Sequence, residues 1–149
     1  MIRIMQEADI DTVAGIWLNT NISAHDFIDP AYWLSNFEMV KNMLAKAEVY
    51  VYEDNGSIQG FIGLDHNYIS GIFIKSECQS HHIGKQLLDH VKTIRNELTL
   101  NVYQKNTRAV KFYLREHFDI ILAGIDEATN EKDYSMMWKQ LKYIANVRN

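Results

Sequence analysis

Three runs of period-two spacing follow one another between residues 49 and 74, and they restrict the possible folds more than any other feature of the chain. Val49, Tyr50, Val51 and Tyr52 alternate as a strand, Asn55-Gly56 supplies the positive φ angles of a tight hairpin turn, and Ile58 to Leu64 return as its partner. A short turn at His66-Asn67 leads into a third strand, Tyr68 to Ile74. Strands joined this closely can pair only antiparallel, so the segment is a three-stranded meander. Its faces must be covered by the flanking segments, and there the spacing turns helical.

Residues 1–5 alternate as a short first strand. Ile10, Val13, Ala14, Trp17 and Leu18 then predict a first helix from about Ala8 to Asn19. Asp29-Pro30 starts a second, because an aspartate caps a helix and the missing N–H of proline costs nothing in the first turn. Trp33, Phe37, Val40 and Leu44 line one face of it. After the meander, Ile83, Leu87, Leu88, Val91 and Ile94 mark an amphipathic helix, Leu98 to Tyr103 a strand, and Ala109, Val110, Tyr113 and Leu114 another helix. Two β-rich runs, Ile120 to Ile125 and Tyr134 to Leu141, enclose a polar stretch from Asp126 to Asp133. The order β-α-α-β-β-β-α-β-α-β-β predicts an α/β fold, a mixed and mostly antiparallel central sheet with helices on both faces. At 149 residues and 47% hydrophobic composition the chain suits a single domain over 1–149 with a substantial core.

One cysteine, Cys78, cannot close an internal disulfide, which fits a reducing, cytoplasmic setting, and no cysteine cluster is present to bind zinc. The adjacent His81 and His82 cannot readily converge on a metal from a helix start, so no metal is expected. No apolar run reaches the ~18 residues that a bilayer requires. The net charge of −4 conceals an uneven distribution: residues 1–74 carry three basic groups against ten acidic ones, residues 75–115 eight against three, and residues 116–149 four against six. A cationic middle can hold a polyanionic ligand while the acidic first half draws a cationic one; solvated helix faces explain the same numbers without a ligand. An acidic chain does not read as a nucleic-acid binder.

The loop Gln79, Ser80, His81, His82 and the helix start Ile83-Gly84-Lys85 follow directly on the third meander strand. The first N–H groups of a helix have no internal partner and, with the positive end of the helix dipole, they receive phosphates. Gly84 would let backbone approach a pyrophosphate and Lys85 adds a cation, although a purely structural helix start accounts for the same residues.

The loop Gln79-x-x-His82-x-Gly84, taken with the run Asn101-Val102-Tyr103-Gln104-Lys105-Asn106-x-x-Ala109-x-x-Phe112-Tyr113-x-x-x-His117-Phe118, resembles the GNAT acyl-CoA-dependent N-acetyltransferases over nearly the whole chain. Within that family the chain is most similar to small bacterial single-domain members that carry a His-x-Phe-Ile element, here His25-Asp26-Phe27-Ile28. Two positions depart from the family pattern: His82 and His117 stand where glycine is usual. A histidine at 82 can still offer its N–H if φ stays negative, with a side chain that either crowds the pyrophosphate or, protonated, adds a charge-assisted hydrogen bond; one at 117 takes a left-handed helix end with strain.

The resemblance implies that acetyl-CoA is the acyl donor, its pyrophosphate on Gln79, Ser80, His81, His82, Ile83, Gly84 and Lys85, and its pantetheine arm paired like a strand with Ile72, Phe73 and Ile74. It implies that this strand and Leu98 to Tyr103 splay apart to admit the thioester, that Asn106 or Asn101 holds the pantetheine amide, and that Tyr113 is the general acid. A phenol of reference pKa ~10 stays protonated at neutral pH and can protonate a departing thiolate. The N–H of Phe73 or Ile74 is the expected oxyanion donor.

A lysine-like amine of pKa ~10.4 must lose a proton before it attacks, and His25 is the first candidate for the base because of its pKa and its place beside the presumed acceptor mouth; Tyr68 and Glu38 are weaker ones. Phe27, Tyr32 and Tyr68 could pack the carbon stem of the acceptor. Cys78 has no neighbour that would activate it as a nucleophile. The reading is thus transfer of an acetyl group to a primary amine, a protein lysine or a small cationic molecule, by direct attack in a ternary complex, in a protein that is a monomer or a homodimer. The alternative, prompted by His82, is a CoA-binding regulatory or partner-binding module with little transferase activity.

Overall fold

The computed structural model describes residues 1–141. A domain spanning 1–149 therefore includes residues 142–149, which lie outside the described residues. Seven strands form one sheet in the order β1-β2-β3-β4-β5-β7-β6. They are β1 (Ile2–Ile4), β2 (Glu48–Asp54), β3 (Ser57–Asp65), β4 (Tyr68–Ile74), β5 (Glu97–Tyr103), β6 (Asp119–Asp126) and β7 (Glu131–Lys139). All neighbours pair antiparallel except β4 and β5. The expected mixed α/β fold and the β2-β3-β4 meander are present. Asn55 and Gly56 have φ of 52° and 76°, as the hairpin turn requires.

Among the described residues five α-helices cover the sheet: α1 (Ile10–Ala24), α2 (Pro30–Ser35), α3 (Phe37–Leu44), α4 (Ile83–Ile94) and α5 (Thr107–Arg115). One face is closed by α1 and α3, where Val13, Ala14, Ile16 and Leu44 pack on Val49, Val51 and Phe61. The other is closed by α4 and α5, where Leu87, Leu88, Val91 and Tyr113 pack on Ile62, Ile69, Leu98, Leu100 and Met136. The alternation of β5 follows from this, with Leu98, Leu100 and Val102 buried against α4 and α5 and Thr99, Asn101 and Tyr103 on the opposite face.

Two helices differ from expectation. α1 continues to Ala24 rather than Asn19, because the polar residues that seemed to end it bond back to its own carbonyls. Thr20 Oγ1 donates to Ile16 O at 2.6 Å and Asn21 Nδ2 to Trp17 O at 2.9 Å, so both can be buried. The single second helix is instead two, broken at Asn36 (φ −97°, ψ 0°), whose Nδ2 takes the Tyr32 carbonyl at 2.7 Å. The start is as expected: the carboxylate of Asp29 accepts from Ala31 N–H at 2.9 Å ahead of Pro30.

Between β4 and β5 the ladder has one residue pair, Tyr68 with Thr99, after which the strands part. β4 is pressed onto β3 instead. A Cβ on Gly60 would lie 2.8 Å from the Phe73 carbonyl oxygen, so only glycine lets the two strands run this close.

Candidate active site

A groove of about 1420 Å³ runs from the parting of β4 and β5 to the N-terminal ends of α4 and α5. Lys75 N–H donates to Gln59 O at 2.9 Å, which fixes the alternation of the β3–β4 ladder. Phe73 and Gly71 therefore turn their backbone groups toward β3, whereas Ile72 and Ile74 turn theirs into the parting. Of the two candidate oxyanion donors, Phe73 is consumed by the ladder and Ile74 faces the groove. The Ile74 carbonyl accepts from Gln79 Nε2 at 3.3 Å, and Gln79 Oε1 accepts from Arg108 at 2.6 Å, so this side chain ties the loop to both β4 and α5.

The first backbone bond of α4 is Gln86 N–H to His82 O at 3.0 Å. The N–H groups of Ile83, Gly84 and Lys85 thus have no backbone acceptor among the described residues, which is the arrangement an anion needs. His82 corrects one expectation: its φ is +61°, the left-handed conformation that a glycine would take with less strain, and not the negative angle. Gln79, Ser80, His82, Ile83, Gly84 and Lys85 all line the groove, but His81 does not.

The cationic middle divides. Lys85, Lys105, Arg108, Lys111 and Arg115 line the groove. Lys85 also bonds Glu116 at 2.9 Å and Asp89 at 3.3 Å, and these partners raise its pKa. Three members of that stretch lie outside the groove: Lys75 follows β4, Lys92 reaches the Glu116 carbonyl at 2.7 Å over the rings of Trp138 and Phe118, and Arg95 pairs with Glu48 at 2.6 Å. Of the ten carboxylates of residues 1–74, Asp9 and Glu53 pair with Arg3, Asp11 with Lys41 and Glu48 with Arg95, and none of the ten lines the groove. The groove's carboxylates are Glu116, Asp126, Glu127 and Asp133, all from the last third of the chain.

Tyr113 sits on α5 with its ring in the core against Phe112 and Phe118, 7% exposed. Its hydroxyl makes no hydrogen bond among the described residues, and burial together with the nearby Tyr68 phenol raises its pKa above that of an ordinary phenol. The proton is thus firmly held until an anion arrives beside it. Tyr68 stands where β4 leaves β5 and donates to Asn101 Oδ1 at 3.0 Å.

His25 closes α1 and is packed among Trp33, Phe27 and Tyr103 at centroid distances of 5.4, 5.6 and 5.0 Å. Asn106 caps α5 through its Oδ1, which accepts from Ala109 N–H, and that orientation turns its Nδ2 to His25 Nε2 at 3.2 Å. The imidazole must then accept at Nε2 and keep its proton on Nδ1, which is buried with no partner among the described residues. Burial also pushes its pKa down to about 4. Its Nε2 lone pair is taken by Asn106 and its Nδ1 carries the proton, so His25 has no free lone pair for an incoming ammonium; it joins α1 to the start of α5.

Phe27 and Tyr32 do not line the groove: Phe27 packs on Tyr103 beneath Lys105, and Tyr32 packs edge-on against Trp33. Glu38 is exposed on α3, away from it. The aromatic wall at this end consists of Trp17, Trp33, Tyr68 and Tyr103. Sequence spacing assigned Trp17 to a helix core. Tyr103 was readable only as the end of a strand, and Asp126 and Asp133 as the ends of a polar stretch between two β-rich runs; the structure extends β6 to Asp126 and starts β7 at Glu131, which puts both aspartates on strands. Among the described residues no group of three or more histidine, cysteine or acidic side chains could hold a metal ion.

Comparison with known proteins agrees with this geometry. Residues 45–120 match the model of the acetyltransferase (GNAT) domain. The chain is 29% identical over 140 residues to the peptidyl-lysine N-acetyltransferase YiaC of Escherichia coli (strain K12), covering 93% of this chain and 96% of that protein. It is 31% identical over 120 residues to the peptidyl-lysine N-acetyltransferase YjaB of Salmonella typhimurium (strain LT2), covering 80% and 83%. The solution structure of the apo form of YjaB from Escherichia coli superposes with a TM-score of 0.83 at 22% identity, over 94% of this chain and 97% of that one. With a strand pair that parts beside the unbonded amides of α4, and a matching family model over half its length, the chain belongs to the GNAT acetyltransferase family.

Proposed function

We propose that the protein transfers an acetyl group from acetyl-CoA to the side-chain amine of a protein lysine. The observation that carries the reading is the parting of β4 and β5 next to the free N–H groups of Ile83, Gly84 and Lys85. These residues suit acetyl-CoA: the Ile72 backbone and the Ile74 N–H face the parting and can meet an amide-bearing arm, and the α4 amides with Arg108, Lys111 and Arg115 suit phosphates. When bound, the donor supplies an activated thioester. Ile74 N–H then stabilises charge on the carbonyl oxygen, and Tyr113 gives its hydroxyl proton to the departing sulfur. The lysine acceptor is supported by the two relatives named peptidyl-lysine N-acetyltransferases and by the carboxylates Asp126, Glu127 and Asp133 in the groove. His82 takes the left-handed angle that glycine favours, so the loop keeps a glycine-like backbone, while its side chain lines the groove; binding of acetyl-CoA without thiol release would favour the non-catalytic module.

The test is release of free thiol from acetyl-CoA over a panel of lysine peptides and small amines, with thermal unfolding followed at millimolar acetyl-CoA. Release with a lysine peptide and a raised Tm are expected. The absence of both thiol release and stabilisation would overturn the reading.

A further inference from the structure

The groups discussed so far serve the donor and the departing sulfur, and none removes the proton that an attacking ammonium must lose. His25 is excluded by its bond from Asn106. Glu116 is buried at the far end of α5 with Lys85. Asp126 Oδ2 already accepts from Tyr103 Oη and Thr129 Oγ1, both at 2.8 Å. Glu127 lies exposed in the turn beyond β6.

Asp133 differs from these. It sits on β7 between Tyr103 of β5 and Gly124 of β6, and its carboxylate forms no ion pair among the described residues. Its Oδ2 lies 3.5 Å from Asn101 Nδ2, which is held more closely by Ser135 Oγ at 3.0 Å, while Asn101 Oδ1 accepts from Tyr68. Tyr68, Asn101 and Asp133 thus form a polar row that leads from the parting of β4 and β5 across the sheet face opposite α4 and α5. Gly124 leaves room for the carboxylate to lie over β6, since a Cβ there would come within 3.2 Å of Asp133 Oδ1. The titratable groups on the same face are Tyr68 of β4, Tyr103 of β5 and Asp126 of β6, with Lys105 at the rim drawn to Glu131 at 3.2 Å.

We infer that Asp133 accepts the proton of the incoming amine, directly or through one water held in the row of Tyr68 and Asn101. The assignment rests on the acyl-transfer reading above. The ammonium gives one proton to the Asp133 carboxylate, and the freed nitrogen lone pair forms the C–N bond to the thioester carbonyl carbon. The C–S bond breaks with its electron pair on sulfur, which takes the proton of Tyr113. The Tyr113 phenolate recovers a proton from the nitrogen as the amide becomes neutral, and Asp133 releases its own to solvent. Nothing is oxidised or reduced.

Asp133→Asn keeps the shape and removes the base. At pH 7, with a lysine peptide that the unaltered protein acetylates, kcat should fall about 100-fold or more with the KM for acetyl-CoA little changed. The deficit should shrink as pH rises toward the ~10.4 of a lysine amine, because solvent then supplies the neutral nucleophile. Asp133→Glu should retain most of the rate, and calorimetric binding of acetyl-CoA to each variant reports that the fold is intact. A kcat within twofold of the unaltered protein overturns the assignment, as does a deficit confined to the KM for peptide and constant with pH, which would make Asp133 a charge that only attracts the acceptor. An unaltered protein that acetylates nothing overturns the acyl-transfer reading, and this assignment with it.

Discussion

Replacing His117 by glycine should make the protein more stable. Its backbone closes α5 in a Schellman arrangement: His117 N–H bonds Leu114 O at 3.2 Å, Phe118 N–H bonds Tyr113 O at 3.0 Å, and the rings of Phe118 and Tyr113 meet at 5.5 Å. That closure demands the left-handed φ of 73° at residue 117. For a residue with a Cβ the conformation costs about 1–2 kcal/mol, and histidine tolerates it better than most, which favours the lower figure. Glycine removes the cost but gives up about 0.5–1 kcal/mol through the greater freedom of its unfolded chain. The imidazole is exposed and makes no hydrogen bond or ion pair among the described residues, so little else is lost. The net gain is up to about 0.5 kcal/mol, which for a chain of this size raises Tm by up to about 2 °C. Urea unfolding with an unchanged m-value, alongside calorimetry, measures it. His117→Ala is the decisive control, because alanine keeps the Cβ and should not share the gain. A glycine variant no more stable than the alanine variant would show that residue 117 carries no left-handed strain.

Two further perturbations address the site. Tyr113→Phe should lower kcat by about 10²–10⁴-fold while calorimetry finds acetyl-CoA affinity unchanged within about twofold, since the hydroxyl bonds nothing within the described protein; unimpaired turnover would remove Tyr113 from proton transfer. The His25 imidazole, held near 4 against an ordinary 6.5, is protonated first in the unfolded chain as pH falls. Stability should therefore be full above pH 6.5 and decline between 6.5 and about 4, by about 1–2 kcal/mol once solvent access to the ring is allowed for. Urea unfolding at pH 7.5 and 4.5 should show a smaller decline in His25→Phe, and an equal decline in the two proteins would show that His25 is not the group responsible.

Much of the architecture was legible because it depends on neighbours in the chain. The bounds of β4 and α4 agree with the spacing of their apolar residues, and the Asn55-Gly56 turn follows from two adjacent conformations. Where helix prediction failed, at the end of α1 and at Asn36, the cause was a polar side chain bonding a carbonyl four residues back, which hydrophobic periodicity does not register. The candidate donor side was read from two continuous segments, Gln79 to Lys85 and Asn106 to Tyr113, and the structure brings both to one groove, His81 excepted.

The acceptor side was not. Charge counted along the chain placed acidity in the first half, yet none of those carboxylates lines the groove, four of them pairing with Arg3, Lys41 and Arg95, and the ones in the groove come from the end of α5 and from β6, β7 and the turn between them. The same holds for His25, a plausible base in sequence and a neutral, buried acceptor for Asn106 in the fold, 81 residues away. By itself the sequence determined the elements, their order, and the loop that suits a pyrophosphate, because these are set by contacts within a few residues. Only the tertiary structure decided which ionisable groups meet, since pairing and burial depend on strands β5, β7 and β6 lying side by side, and those contacts determine which carboxylate remains free to take a proton.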